Sequence, residues 1–233
     1  MNYASFQKSM KKTLQEISRE VFIKNQETIR IKKESTAVRN FSKIFDAVFT
    51  ISGEKGFQAM TMRDLSAETG MSLGALYGYF SSKEELLSII QSQGRSMLKR
   101  VLEAGIKDND DPLEKLRAVI RAHLYLSEAA RPWFYFTFME ARNLKPDELE
   151  KVLEMESYTE SMLIRILESG ETSGVFRPGN HGLTASIIKA MQQDWYLKRW
   201  KYSRRQVTID QYADQVLEFV ERYCKRTTDD RCD

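Results

Sequence analysis

The sequence FQAMTMRDLSAETGMSLGALYGYF, residues 57–80, decides the fold. Within it, Thr61 and Asp64 have the spacing of a capping box at the start of a helix. The threonine hydroxyl accepts a hydrogen bond from a first-turn amide, and the carboxylate three residues later reaches back to the threonine amide. The pair predicts a short helix over residues 62–69.

Gly70 and Ser72 mark the end of that helix and the start of another. Glycine gives the backbone freedom that a tight turn needs, and a serine hydroxyl can cap a second helix, predicted over residues 73–79. The apolar side chains of Leu65 and Leu76 would then point inward and fix the crossing of the two helices. Two short helices joined by a turn that contains glycine are typical of a helix-turn-helix motif.

The rest of the chain has the pattern of further helices. Apolar residues recur at spacings of three and four, only four prolines interrupt the 233 residues, and no run alternates with a period of two. The pattern therefore predicts an all-α protein. The other predicted helices span residues 36–52, 83–105, 112–130, 133–141, 147–170, 182–201 and 208–225.

Residues 57–80, together with SSKEELL at residues 81–87, resemble the DNA-binding domain of the tetracycline-repressor (TetR) family. The most specific element of this similarity is Leu-Tyr-x-Tyr-Phe-x-x-Lys, which ends at Lys83. The resemblance implies an N-terminal three-helix helix-turn-helix domain followed by a larger helical domain for ligand binding and dimerisation. It also implies a ligand-responsive transcriptional regulator, expected to be a repressor, that binds double-stranded operator DNA.

Four segments follow from this organisation. We expect a helical or flexible N-terminal extension, a helix-turn-helix domain, a ligand-binding and dimerisation domain, and a flexible tail, over residues 1–35, 36–82, 83–226 and 227–233. The extension carries apolar residues with the spacing of an amphipathic helix, although the same stretch fits a solvated arm. These apolar residues are Met10, Leu14, Ile17 and Val21.

The resemblance also implies which residues contact DNA. It places Thr61 and Arg63 at the start of the supporting helix, residues 72–77 in the recognition helix, and Tyr79 and Lys83 on backbone phosphate. Guanidinium, phenol and ammonium groups are suitable phosphate ligands. The predicted DNA contacts are Thr61, Arg63, Ser72, Leu73, Gly74, Tyr77, Tyr79 and Lys83. Four basic residues before the motif either add phosphate contacts or form a solvated helix face: Arg30, Lys32, Lys33 and Arg39.

The most hydrophobic stretch is PWFYFTFM, residues 132–139. A short helix that is apolar nearly all round is expected to be buried or to line a cavity, and the resemblance places it against a regulatory pocket. Flat and flexible side chains suit a sizeable apolar or acyl-type effector, although ordinary core packing is the default interpretation of each of them taken separately. The predicted ligand-binding residues are His123, Trp133, Phe134, Phe138, Met139, Tyr158, Met162 and Trp195.

The last two predicted helices carry more apolar surface than one helix pair can bury. Their stripes are Ile187, Ile188, Met191 and Trp195 in one helix, and Tyr212, Val216, Phe219, Val220 and Tyr223 in the other. A two-fold homodimer through residues 182–225 would cover both stripes. The charged residues around Trp195 and Trp200, namely Asp194, Lys198 and Arg199, fit either an anchor for an anionic head group or internal ion pairs.

Other functional classes lack their signatures in the sequence. We find no glycine-rich phosphate loop, nucleophile elbow or metal-ligand spacing, so neither an enzyme nor a cofactor or metal is expected. Neither an export signal nor an apolar run of membrane-spanning length occurs. The two cysteines, Cys224 and Cys232, fit a reducing cytoplasm, although they could also pair. A helical protein that works through protein contacts is the remaining alternative.

Overall fold

The computed structural model describes residues 2–24, 33–107 and 109–226, without the side chains of residues 11–18, 21, 22 and 24. Within these residues the chain forms eleven α-helices and one 3-10 turn. The described part contains no strand, and its only β-type pairing is an isolated bridge between Phe176 and Lys225. The all-α prediction is therefore confirmed.

The helices follow one another with short connections. Their bounds are α1 Tyr3–Lys24, α2 Glu34–Lys55, α3 Met62–Thr69, α4 Leu73–Leu76, α5 Lys83–Ile106, α6 Pro112–Ala129, α7 Arg131–Glu140, a 3-10 turn Ala141–Asn143, α8 Pro146–Thr172, α9 His181–Leu197, α10 Arg199–Arg204 and α11 Ile209–Cys224. Two predicted helices were too long: the one over residues 73–79 ends at Leu76, and the one over residues 182–201 breaks at Lys198.

Local capping chemistry explains most of the helix starts. The Asp111 carboxylate accepts a hydrogen bond from the Leu113 amide, and Pro112 occupies the first helical position, where no amide donor is needed. Thr208 and Gln211 form a capping box at the start of α11. Because caps satisfy amides that have no partner inside the helix, these signals fix where each helix begins.

The described residues fall into two compact units, and each draws on more than one stretch of the chain. The helix-turn-helix unit comprises Gln7–Met97 and Pro132–Val152, and the C-terminal unit comprises Met1–Phe6, Leu98–Arg131 and Leu153–Asp233. Helix α7 therefore packs in the helix-turn-helix unit, whereas the predicted division placed it with the ligand-binding domain. The predicted limits at residues 35, 82 and 226 stay predictions.

The core of the helix-turn-helix unit is apolar and rich in aromatic rings. Leu65 of α3 and Leu76 of α4 are fully buried, as the sequence predicted. Phe41 of α2 meets Tyr79 edge to face with ring centroids 5.3 Å apart. From α7, Phe136 contacts the ring of Phe57 at 5.5 Å between centroids. Such aromatic pairs add to the free energy of apolar burial, and they hold the short helices α3 and α4 in place.

In the C-terminal unit, α6 packs against α9 and α11. Trp195 of α9 is completely buried and stacks on Tyr202, with ring centroids 5.0 Å apart. Its indole N–H donates to Glu128, which also accepts hydrogen bonds from Arg199. No helix in the described part of the chain is both long and apolar enough to cross a membrane.

Candidate functional site

The start of α3 is built as the sequence predicted. The Thr61 hydroxyl accepts from the Asp64 amide at 3.1 Å, and the Asp64 carboxylate accepts from the Thr61 amide at 2.7 Å, which completes a capping box. Lys55 adds an ion pair to the same carboxylate at 2.6 Å. The Lys55 and Thr61 hydrogen bonds lower the pKa of Asp64 well below its usual value. This network fixes the helix end that carries the exposed Arg63.

The turn between α3 and α4 depends on one glycine and two hydroxyl groups. Gly70 has a φ of 62°, a left-handed conformation that side chains disfavour. The Ser66 hydroxyl donates to the Met71 carbonyl at 2.6 Å, which closes the turn from the α3 side. Ser72 then caps α4 by accepting from the Ala75 amide at 3.2 Å. These bonds fix the angle at which α4 leaves the turn.

Six of the eight predicted DNA contacts lie on the surface of this motif. Thr61 and Arg63 are exposed at the start of α3, and Tyr77, just after α4, is 45% exposed. The side chains of Arg63 and Tyr77 form no hydrogen bond or ion pair with any described residue, so their polar groups can bind another molecule. The other exposed members are Ser72, Leu73 and Gly74.

Gly74 has no packing role within the protein. A Cβ atom built at this position would meet nothing within 4 Å, and the backbone conformation does not require glycine. Glycine inside a helix costs about 1 kcal/mol relative to alanine. A close approach of a second molecule to the α4 backbone would explain why this position lacks a side chain.

Tyr79 does not lie on this surface. The structure contradicts its predicted contact with backbone phosphate. The residue is 1% exposed, and its hydroxyl accepts a hydrogen bond from the Asn40 amide nitrogen at 2.6 Å. Its ring also packs against Phe41 in the core. Tyr79 therefore ties α2 to the segment after α4, and its hydroxyl is engaged by Asn40.

Lys83 also has an intramolecular role that the sequence did not predict. Its ammonium group donates to the carbonyl oxygens of Gln58 and Met60 at 2.9 and 3.0 Å, and it lies 4.8 Å from the centroid of the Phe57 ring. Burial lowers the pKa of this ammonium group. A contact of Lys83 with phosphate, as predicted, would compete with these bonds. The structure therefore favours a role for Lys83 in holding the loop before α3 in place.

Glu140, at the end of α7, is a buried residue of this unit that the sequence analysis missed. Its carboxylate accepts from the Phe57 amide at 3.2 Å and from the Asn143 side chain at 3.0 Å. The loop before α3 is therefore held by α5 through Lys83 and by α7 through Glu140. The available signal was a single carboxylate at the end of the otherwise apolar run of residues 132–139.

Basic residues on α2 extend the exposed surface. Lys33, Arg39 and Lys43 are all exposed, and Arg39 and Lys43 lie one turn apart on the same helix face. Two further predicted contacts, Arg30 and Lys32, lie outside the described residues. The described cations give the motif a positive rim that suits the phosphate backbone of DNA.

The predicted ligand-binding residues are divided between the two units. Trp133, Phe134, Phe138 and Met139 lie in the helix-turn-helix unit, whereas His123, Tyr158, Met162 and Trp195 lie in the C-terminal unit. The run of residues 132–139 is not buried along its whole length, because Phe138 is 48% exposed and Met139 is also exposed. The alternative, that the run lines a cavity, stays a prediction. A ten-residue helix with one buried face turns its remaining residues to the solvent.

Within the C-terminal unit, Trp195 and Tyr158 have contacts of their own. Trp195 packs between Tyr202 and Tyr212, which makes it a core residue. The Tyr158 hydroxyl donates to Glu103 at 2.6 Å.

Near Trp195, Asp194 pairs with Lys198 at 2.8 Å and with Lys201 at 2.5 Å. Burial opposes ionisation of Asp194, but these hydrogen bonds lower its pKa to about 2, so internal ion pairs are the arrangement present.

An apolar surface runs along α9 and α11. Its exposed residues include Leu183, Ile187, Phe219 and Tyr223, and a groove of about 190 Å³ lies beside Met191 and Cys224. Val216 and Val220, which the sequence assigned to the outer stripe, are buried inside the protomer. Cys232, the other cysteine, lies outside the described residues.

An all-helical chain with a helix-turn-helix motif, an exposed cationic rim and a separate helical unit is the architecture of a DNA-binding regulator. The profile of the family described as bacterial regulatory proteins, tetR family, matches residues 44–89. A second profile, described as the tetracyclin repressor-like C-terminal domain, matches residues 109–222. The chain belongs to the TetR family of transcriptional regulators.

Three relatives illustrate the similarity. The fatty acid metabolism regulator protein of Bacillus subtilis (strain 168) is 25% identical over 77% of this chain and 93% of its own length. The structure of the ketosteroid transcriptional regulator KstR2 of Mycobacterium tuberculosis superposes with a TM-score of 0.72 at 20% identity, over 86% of this chain and all of that one. The structure of AibR in complex with isovaleryl coenzyme A and operator DNA superposes with a TM-score of 0.67 at 19% identity. The superposition covers 77% of this chain and 96% of that one. The curated relatives are regulators of transcription and not enzymes.

Proposed function

We propose that the protein is a homodimeric repressor that leaves its operator when a small apolar or acyl-type effector binds. The observation that carries the proposal is the exposed surface formed by Arg63, Leu73, Gly74 and Tyr77 together with the α4 cap Ser72, because the side chains of Arg63 and Tyr77 have no polar partner among the described residues. The cysteine content favours a cytoplasmic protein. DNA readout, dimer formation and effector binding each have their own support.

The recognition helix would read DNA mainly by shape and apolar contact. Leu73 and Gly74 offer no hydrogen bond to a base edge, and Leu73 can only contact groups such as a thymine methyl. Arg63 is the strongest candidate for a bidentate contact, to a phosphate or to guanine. A reader of this kind depends on the deformability of its site and on phosphate contacts from the α2 cations.

Arg63→Ala and Tyr77→Phe should each weaken operator binding, whereas Tyr79→Phe should not. The first two remove exposed donors, and the third removes a hydroxyl that already accepts a hydrogen bond from Asn40. A lost base or phosphate contact typically costs about 1–3 kcal/mol. We expect Arg63→Ala to reduce the slope of log affinity against log salt by about 0.9 if the contact is to phosphate.

The measurement is fluorescence anisotropy over a range of salt concentrations, with a duplex that the wild-type protein selects from a random pool. Arg165→Ala, which removes an exposed arginine from α8, is the matched control. If Arg165→Ala and Arg63→Ala give the same affinity and the same salt slope, the assignment of Arg63 to DNA is wrong.

The apolar surface on α9 and α11 supports a two-fold dimer. Exposed apolar residues on two neighbouring helices form a patch of the kind that marks a protein interface. A symmetric dimer places each helix pair against its own copy, as a four-helix arrangement. It also presents two recognition motifs, which must lie about 34–36 Å apart to reach successive major grooves.

The names of the relatives support an acyl-type effector. One relative is a regulator of fatty acid metabolism, and another has been crystallised with isovaleryl coenzyme A and operator DNA. In this chain, the predicted ligand-binding residues Met162 and His123 are buried in the C-terminal unit. An effector can release the operator only if it binds more tightly to the arrangement that does not bind DNA.

Effector and operator should therefore oppose each other's binding. Isothermal titration with isovaleryl coenzyme A, decanoyl coenzyme A and decanoic acid would be run on the free protein and on its complex with the selected duplex. We expect at least one probe to bind about 5- to 150-fold more weakly to the complex, the usual range of allosteric coupling. If every probe that binds does so equally well with and without DNA, regulation by release is refuted.

A further inference from the structure

Gln192 is a buried glutamine whose side-chain amide has no partner in the protein. It is 1% exposed and lies on the face of α9 that includes Ile188 and Trp195. Among the residues that the structure describes, neither its Nε2 nor its Oε1 has a hydrogen-bond partner. Buried polar atoms nearly always have one, and leaving both atoms of an amide unmatched destabilises the protein. An unmatched donor and acceptor at one buried point are groups that a polar ligand can bind.

A polar cluster begins one turn from Gln192 on α9. One turn earlier on α9, Lys189 is also buried, and its ammonium group donates to the Thr159 hydroxyl at 2.7 Å and lies 3.2 Å from the Glu156 carboxylate. His123 of α6 is buried, and its pKa is lowered by burial first and then by the positive charge of Lys189. Helices α6, α8 and α9 therefore contribute polar groups to this cluster, of which His123, Thr159 and Lys189 are buried and Glu156 is exposed.

Gln192 takes no part in the hydrogen bonds of this cluster. Lys189 and Glu156 satisfy each other, and Thr159 is satisfied by Lys189 and by the Glu156 backbone. Gln192 contributes nothing to these bonds. A polar residue placed on a buried helix face without a partner lowers stability, and such costs are found where a site serves binding instead of folding.

We propose that Gln192 binds the oxygen-bearing end of the effector, with Lys189 beside it, and that the effector is an acyl compound whose carbonyl accepts from Nε2. The proposal rests on the acyl-type effector proposed above. Two of the three N–H groups of Lys189 are engaged, so the third can donate to the same oxygen. The acyl chain would run along apolar residues, among which Met162 lies on the turn of α8 that follows Thr159.

The second atom of the amide adds a preference among acyl compounds. Oε1 needs a donor, and a plain acyl chain supplies none. A hydroxyl group close to the carbonyl supplies it, so the site matches a hydroxyacyl group better than the unsubstituted chain. Sites that hydrogen-bond a ligand hydroxyl reject the analogue without it, because buried polar groups then stay unpaired.

The experiment measures stability and affinity in the same variants. The full-length wild type, Gln192→Leu and Gln192→Met are titrated with decanoic acid, 3-hydroxydecanoic acid and 3-hydroxydecanoyl coenzyme A, and each unliganded protein is melted. We expect both variants to melt roughly 2–4 °C higher than the wild type, since an unmatched amide is removed. They should bind the hydroxyacyl probes about 10- to 100-fold more weakly. Gln7→Leu, on the exposed side of α1 and away from both proposed binding surfaces, is the matched control and should change neither property.

The outcomes separate this proposal from the proposed function. Unchanged affinity in both Gln192 variants overturns the assignment of Gln192, including the case in which the melting temperature rises because the amide holds only a buried water. Loss of probe binding in the variants, with no effect of the probe on operator affinity, supports the site and refutes regulation by release. If the wild type binds none of the probes, the assignment of Gln192 falls, whereas the proposed function is decided by the titrations with isovaleryl coenzyme A and decanoyl coenzyme A. The comparison of free acid and thioester shows which of the two sources supplies the carbonyl.

Discussion

Replacing Ile187 and Phe219 together by glutamate should convert the protein from a dimer into monomers and remove tight operator binding. Both side chains are more than half exposed on a single protomer, at 54% and 65%. The protomer core therefore does not need them, whereas a two-fold interface along α9 and α11 would bury four new carboxylates. Removing charges from water without partners costs several kcal/mol per ion, which exceeds what an interface of this kind can offset.

Operator binding should fall with the dimer because the two half-sites act together. Once one recognition motif is bound, the second binds as an intramolecular event, and this linkage typically strengthens binding by about 10²–10⁴-fold. We expect a loss of at least about 100-fold in anisotropy measurements with the selected duplex, and a halved mass in sedimentation equilibrium. The secondary structure content should stay unchanged.

Leu153→Glu is the control for this pair, because Leu153 is an exposed apolar residue on α8, outside the proposed interface. It should leave the mass and the DNA affinity as they are. A double variant that still sediments as a dimer would place the interface elsewhere. Val216 and Val220 cannot serve this test, since both are buried inside the protomer and a charge there would unfold it.

Features that depend on neighbouring residues could be predicted from the sequence. The capping box of Thr61 and Asp64, the glycine turn at Gly70 and the cap at Ser72 were all confirmed. Helix starts were predicted closely because caps are interactions over three residues. The end of α4 was not predicted correctly, because tertiary contacts and not local sequence decide where a short helix ends.

Features that depend on distant residues could not be predicted. Nothing near Tyr79 in the sequence shows that Asn40 binds its hydroxyl, and nothing near Lys83 shows that the loop before α3 occupies its ammonium group. Tyrosine and lysine next to a helix-turn-helix motif fit a phosphate contact equally well. Only the packing of α2 and α5 against the motif decides between the two interpretations.

The buried polar residues of α9 were missed for a different reason. The periodic pattern was read for its apolar members. Gln192 lies four residues after Ile188 and three before Trp195, on the same helix face, and Lys189 lies three residues before Gln192. A polar residue in phase with an apolar stripe is the signal that would have found them. Their partners, Thr159 and Glu156 on α8, could not be paired with them from one sequence.

Gly94→Ala should destabilise the protein strongly, because the ring of Trp133 occupies the space of the missing side chain. A Cβ atom at Gly94 would lie 1.8 Å from one ring carbon and 2.1 Å from the indole nitrogen. The Trp133 ring is buried, so it cannot move away without disturbing the contact of α7 with α5. Overpacking of this kind costs about 1–3 kcal/mol, and we expect a value near the upper end, with the melting temperature about 6–10 °C lower.

Gly53→Ala on α2 is the matched control. A Cβ atom there meets nothing within 4 Å, so the change should be neutral or should stabilise α2 by up to about 1 kcal/mol through helix propensity. Comparing the two alanines separates the effect of the Trp133 contact from the general effect of replacing a helical glycine.

A double-mutant cycle with Trp133→Leu completes the test. The single change Trp133→Leu leaves a cavity and should cost about 2–4 kcal/mol, but the smaller side chain makes room for the alanine methyl group. The combined variant should therefore be more stable than the sum of the two losses predicts, by about 1–3 kcal/mol, as expected for residues in direct contact. Chemical denaturation of the four proteins measures this difference. Additive losses would mean that Gly94 and Trp133 do not share this space, and that another contact joins α5 to α7 beside the helix-turn-helix motif.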